Sequence, residues 1–168
     1  MTTTTPLLLI TADPSHPLAH LALRYARAYL KSAANSHDIE DNDTNSTGSS
    51  DNATTEQPLL NVFFYGDSAH IANRLRWQSA EQIDITQEWK NLADHYQLPL
   101  PVCVSTALSR GISDSENGTR HRLDGDNLAT GFSLVGLSEL AMMMQSNCRL
   151  IQFWQRIINS DCFDDDCL

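Results

Sequence analysis

A chain of 168 residues with 41% hydrophobic side chains can build one α/β domain around a single core, and is too short for two comfortable domains. Its formal charge of -10 and isoelectric point near 4.8 argue against direct contact with a nucleic-acid backbone or an anionic membrane, which repel such a chain at long range. Four cysteines without a basic-then-apolar leader fit a reducing cytoplasm, and no stretch approaches the roughly 20 apolar residues that span a bilayer.

Leu7-Leu8-Leu9-Ile10-Thr11-Ala12 predicts a first strand, buried on both faces of a parallel sheet. The following Asp13-Pro14-Ser15-His16-Pro17 has two prolines and no glycine, so it is not a phosphate-cradling loop. Leu18, Leu21, Ala22, Tyr25, Ala26, Tyr29 and Leu30 recur at helical spacing and predict a helix packed on the sheet. His16 and His20 lie one turn apart without a third ligand, which points to capping or solvated roles rather than a metal pair. From about 33 to 58 the composition turns to Asn, Asp, Ser, Thr and Glu, with Ile39 almost alone as a large apolar side chain. That composition predicts a disordered insertion, in which Asn45-Ser46-Thr47 and Asn52-Ala53-Thr54 are chance glycosylation matches.

Leu59-Leu60-Asn61-Val62-Phe63-Phe64-Tyr65 reads as a second strand, closed by Gly66-Asp67-Ser68. Tyr65, Asp67 and His70 then belong at the carboxyl edge of the sheet, with His70 on the surface rather than serving as a base. A short helix is predicted over Ala69 to Leu75. A second is predicted over Asp84 to Gln97, capped by Asp84, with Ile85, Trp89, Leu92, Ala93 and Tyr96 on its packed face. Leu98 to Gly111 is a strand that breaks into a short helix. Pro99 and Pro101 restrict its pairing to the last residues or to an edge, Ser105 or Thr106 caps the helix, and Gly111 ends it.

Cys103 falls where that strand meets that helix. Unpaired backbone N–H groups and the helix dipole favour a thiolate there, although the place also suits an ordinary buried cysteine. Ile112 to Asp126 reads as a polar loop. Around it Arg110, Arg120, His121 and Arg122 gather, either solvated or placed to favour the thiolate and receive an acidic partner. Leu134, Leu137, Leu140, Ala141 and Met144 predict a helix with Met142-Met143-Met144 as packing, and residues 149–153 a last strand entered by a buried Cys148. Residues 154–168 form an acidic tail, in which Cys162 and Cys167 lack the second ligand pair that a metal site needs.

Several separated pieces together carry a resemblance. Val62-Phe63-Phe64-Tyr65, Ala72-Asn73, Val102-Cys103-Val104 with Ala107-Leu108 and Arg110-Gly111, Asn127-Leu128, Gly131-Phe132, Leu134 with Gly136-Leu137, and Cys148-Arg149 to Phe153 closely resemble the DsrE-like sulfurtransferases. Ser68 departs from that pattern, standing where the family commonly has glycine. The resemblance implies a single DsrE-like domain over 1–153, with a flavodoxin-like parallel sheet and helices on both faces. It implies a sulfur relay in which Cys103 is the catalytic residue and accepts sulfane sulfur as a persulfide, with no metal or organic cofactor. It also implies partners: TusB-like and TusC-like subunits in a heterohexamer, a TusA-like donor, and a TusE-like acceptor serving 2-thiolation of the tRNA wobble uridine without direct contact with the tRNA. A DsrE-type subunit of a sulfur-oxidation complex and a non-catalytic assembly subunit are the alternatives.

Overall fold

The computed structural model describes residues 4–37, 60–145 and 148–154. Five parallel strands form one sheet: β1 (Thr5–Ile10), β2 (Asn61–Phe64), β3 (Leu100–Cys103), β4 (Phe132–Val135) and β5 (Cys148–Phe153), in the order β4-β3-β2-β1-β5. Alternation along the strands divides the side chains between two faces. Leu8, Ile10, Val62, Phe64, Leu100 and Val102 enter the main core, whereas Leu7, Phe63 and Cys103 enter a small second cluster on the opposite face.

Helix placement follows from the handedness of the crossovers. The chain steps in one direction from β1 to β4, and right-handed connections keep the intervening helices on one face. Helices α1 (Pro17–His37) and α2 (Ile85–Tyr96) supply most of that cover, with Ala107 of α3 (Val104–Leu108), while α4 (Ser115–His121) adds no residue to this core. The last step returns to the far side of β1, so α5 (Leu137–Gln145) lies on the other face, where Leu140 and Met143 pack against the second cluster. The class is therefore the parallel three-layer α/β fold expected, but β1 lies between β2 and β5, unlike the flavodoxin order 2-1-3-4-5.

Several local expectations hold with a physical reason. His16 Nδ1 accepts the Leu18 N–H at 3.2 Å and Pro17 begins α1, so His16 is a cap. Asp84 caps α2 by accepting the Gln87 N–H at 3.1 Å. The packed face of α2 is the predicted one, with Ile85, Trp89, Leu92 and Ala93 buried and Tyr96 partly so. Phe64 meets Trp89 and Phe132 edge-on, with centroids 5.3 and 5.5 Å apart, at the centre of the core.

Others need correction. Leu134 belongs to β4, not to a helix: Gly131 to Val135 alternates with Phe132 buried and Ser133 exposed, and α5 starts only after Gly136. The polar stretch 112–126 contains α4, whose Asp114 cap accepts from Asn117 N at 2.8 Å. The segment after β2 is a 3-10 helix over Gly66–Ala72. Helix α1 runs to His37, through the start of the expected insertion, and its buried stripe is Ala19, Ala22, Leu23, Ala26 and Leu30 while Leu21 is 47% exposed. Strand β3 is internal rather than at an edge and pairs over its whole length with β4, whereas on the β2 side its registered pairing is confined to Val102 opposite Phe64, the restriction to its last residues that the prolines predict. The rest of the insertion (38–59) and the tail from 155, with Cys162 and Cys167, lie outside the described residues.

Candidate active site at the end of β3

Cys103 closes β3 and is the residue before α3, with φ -61° and ψ 118°. A strand ending at a helix start aims the N–H groups of the first helical turn back at that residue. The side chain points to the α5 face and is fully buried in the cluster containing Leu7 and Phe63, ringed by the partly buried Val135, Leu140 and Met143. Ser105, exposed at the surface, places Oγ 3.2 Å from Sγ, and Thr106 Oγ1 donates to the Cys103 carbonyl at 3.1 Å.

Two opposed effects set the thiol's acidity. Burial raises its pKa, but hydrogen bonding from the Ser105 hydroxyl and from Thr106, with the N–H groups of both residues, outweighs burial and leaves Cys103 below the ordinary thiol range. Hydrogen bonds, not the nearby arginines, supply the lowering. Ser105 was expected only as a helix cap; its position two residues after the cysteine, in the first turn of α3, is the signal that pointed further. Replacing Ser105 with alanine is expected to move the midpoint of the pH–rate profile for Cys103 alkylation upward and to slow the reaction at neutral pH on the order of tenfold, as loss of a charge-assisted hydrogen bond predicts. Stopped-flow alkylation across the pH range measures both.

The other predicted residues divide. Asp67 accepts from Arg110 Nε and Nη2 at 3.0 and 2.7 Å, and Arg110 Nη1 donates to Thr106 O at 3.2 Å, so one guanidinium ties α3 to the 3-10 helix beside it. Arg120 instead pairs with Glu116 within α4 at 2.8 Å. His70 acts electrostatically on Asp13, whose burial raises its pKa less than Ser15 hydrogen bonds, His70 and Arg76 lower it, and His70 is not among the groups that lower the Cys103 pKa. Ser68, the departure from the family pattern, is fully buried and donates to Ile10 O at 2.6 Å and Tyr65 O at 2.9 Å, pinning the turn to the end of β1.

Cys148 is half-buried rather than buried, and stands opposite Thr5 at the amino edge of the sheet. Three strand spacings and six residues of register separate it from the level of Cys103, roughly 14 Å across and about 20 Å along. A disulfide needs Cα atoms within about 7 Å, so Cys148 cannot resolve a sulfur adduct on Cys103. Among the described residues no group of three or more His, Cys, Asp or Glu side chains is placed to hold a metal ion, and no helix is long and apolar enough to cross a membrane.

The chain matches a known family over most of its length. The DsrE/DsrF-like family matches residues 7–153, and the chain belongs to it. Sulfurtransferase TusD of Pectobacterium atrosepticum is 43% identical over 95 residues, 56% of this chain and 74% of that protein. Sulfurtransferase TusD of Proteus mirabilis is 38% identical over 95 residues, 56% of this chain and 73% of its own length. The crystal structure of the ychN protein from E. coli superposes with a TM-score of 0.59 over 89% of this chain and 100% of that chain; at 16% identity it supports the fold.

Proposed function

We propose that this chain is the sulfur-accepting subunit of a relay, carrying sulfane sulfur as a persulfide on Cys103. The observation that carries the reading is a buried thiol at the carboxyl end of β3 with a hydroxyl 3.2 Å from its sulfur, hydrogen bonds that lower its pKa, and a DsrE/DsrF-like domain around it similar to sulfurtransferases named TusD. The Cys103 thiolate attacks the outer sulfur of a donor persulfide, R–S–SH. The new Sγ–S bond forms as the donor's S–S bond breaks, the donor leaves as RS⁻, and Cys103–S–SH retains the proton. An acceptor thiolate then takes the outer sulfur and restores the Cys103 thiolate. No electrons are gained or lost overall, and the rates follow thiolate fraction, leaving group and access.

In this reading the donor is TusA-like, the acceptor TusE-like, and the end point 2-thiouridine in tRNA in the cytoplasm. Among the described residues Cys148 is too far to take sulfur from Cys103, and in this reading the sulfur leaves on another protein. The companions are TusB-like and TusC-like subunits. Support for them comes from the α5 face, where no residue of α5 is fully buried and Leu137, Met142, Met144 and Leu150 remain 43–57% exposed, an apolar surface of the kind subunits cover.

Incubating the protein with a persulfidated donor and mapping peptides by mass spectrometry without reductant tests the reading. The expected result is one added sulfur on the Cys103 peptide, discharged by an acceptor thiol protein. No gain with the companion subunits present would leave an assembly role.

A further inference from the structure

Sulfur transfer through Cys103 has a second half, in which Sγ is no longer the attacking atom but the departing one. An acceptor thiolate, R′S⁻, attacks the outer sulfur of Cys103–S–SH. The R′S–S bond forms, the Sγ–S bond breaks, and its electron pair stays on Sγ as a thiolate while the proton leaves with the outer sulfur. Negative charge therefore appears on a fully buried residue, packed among Leu7, Phe63, Val135, Leu140 and Met143, none of whose side chains can donate a hydrogen bond.

The donors come from the first turn of α3. The N–H groups of Ser105 and Thr106 and the Thr106 hydroxyl act on the sulfur, and Thr106 Oγ1 also bonds the Cys103 carbonyl at 3.1 Å. Ser105 Oγ lies 3.2 Å from Sγ on an exposed residue, so this hydroxyl can donate to the sulfur while water satisfies its lone pairs. A backbone N–H keeps its direction in every state of the sulfur, whereas a hydroxyl rotates and follows the charge.

We propose that Ser105 is a catalytic residue of the discharge step: its hydroxyl donates to Sγ as the Sγ–S bond breaks and stabilises the leaving thiolate. The same bond opposes the first half, because a thiolate held by a donor is the weaker nucleophile. Ser105 thereby favours onward transfer over retention, as a subunit that passes sulfur on requires. Nucleophilicity scales with thiol acidity by an exponent of about 0.4–0.5, so a hydrogen bond that changes acidity on the order of tenfold changes the attack of a formed thiolate by about threefold. The departing sulfur should respond by a similar factor of opposite sign.

This inference rests on the sulfur-transfer reading, and the test separates the two. Wild type, Ser105→Ala and Ser105→Thr, each assembled with the companion subunits, are loaded from glutathione persulfide and discharged into 2-mercaptoethanol. Single turnovers are followed across the pH range by the intact mass of quenched samples. Ser105→Ala is expected to discharge about threefold slower than wild type at every pH. It should load more slowly at neutral pH, where less of its thiol is ionised, and about threefold faster at high pH, where both thiols are ionised. Ser105→Thr keeps the hydroxyl and should match wild type in both halves. A uniform loss in both halves at all pH is what a loosened α3 gives, and it would overturn the proposal. Discharge of Ser105→Ala at the wild-type rate, or an equal loss in Ser105→Thr, would do the same. If the wild type gains no sulfur on Cys103 from the persulfide, the transfer reading itself falls, and the role of Ser105 with it.

Discussion

Cys103→Ser is expected to lower sulfur uptake by at least about a thousandfold while leaving the domain folded. The loss follows from chemistry rather than shape. A serine hydroxyl is a weak nucleophile without a base to take its proton, and the side chain bonded to the atom at this position is the Ser105 hydroxyl rather than a base. The fold is expected to tolerate the change because the site already contains a polar partner: Ser105 Oγ, 3.2 Å from the present sulfur, can bond the new hydroxyl in an otherwise apolar cluster. Thermal unfolding should therefore shift by only a few degrees, while peptide mass spectrometry finds no sulfur at position 103. Uptake that survives in the variant would assign the relay to another thiol. Cys148, at the opposite edge of the sheet, could then act only as an independent site and not as a substitute within this one.

Access shapes how such a thiol works. Cys103 is closed off in the chain alone, and its wall on the α5 side is a helix that buries none of its own residues fully. A sealed thiolate is protected from adventitious oxidants, since oxidation follows exposure as well as thiolate character. Loading then requires the donor to reach through a thin cover, and binding energy gained elsewhere on the surface can support that opening. The exposed Ser105 hydroxyl is the group through which the buried sulfur and the surface are coupled.

How much could be read from the sequence varied with the strength of local patterns. Ile85, Trp89, Leu92 and Ala93 were legible because a capped helix with one packed face writes its burial directly into helical spacing. Helix α4 was not, since Ser115–His121 is polar around its circumference and shows no period; its only mark was Asp114, three residues before the amide that it accepts. Strand β4 was hidden for the opposite reason: with Gly136 between them, Leu134 and Leu137 fall at helical spacing across two different elements. Cys103 was placed correctly at a strand-to-helix junction. Its principal hydrogen-bond partner was not identified, because a serine near a helix start reads as a cap until the sulfur's direction is known.

Phe64→Ala is expected to destabilise the domain by about 3–5 kcal/mol, a large share of the about 5–15 kcal/mol that holds an ordinary domain folded. Phe64 is fully buried on the central strand β2, paired with Ile10 of β1 and Val102 of β3, and its ring makes edge contacts with Trp89 from α2 and Phe132 from β4. One side chain therefore joins three of the five strands beyond its own to the helix layer, and the cavity left by its removal cannot collapse without moving several elements. The damage should reach the active site first. Val102, opposite Phe64, precedes Cys103, and Tyr65 leads into the 3-10 helix that Arg110 holds against α3. Urea unfolding followed by circular dichroism measures the loss. Parallel alkylation of Cys103 should show faster labelling at denaturant concentrations below the main transition, as the end of β3 loosens before the sheet melts. A loss below about 1 kcal/mol would mean that this aromatic cluster is not the centre of the core, and that the position of Cys103 depends on the α5 face instead.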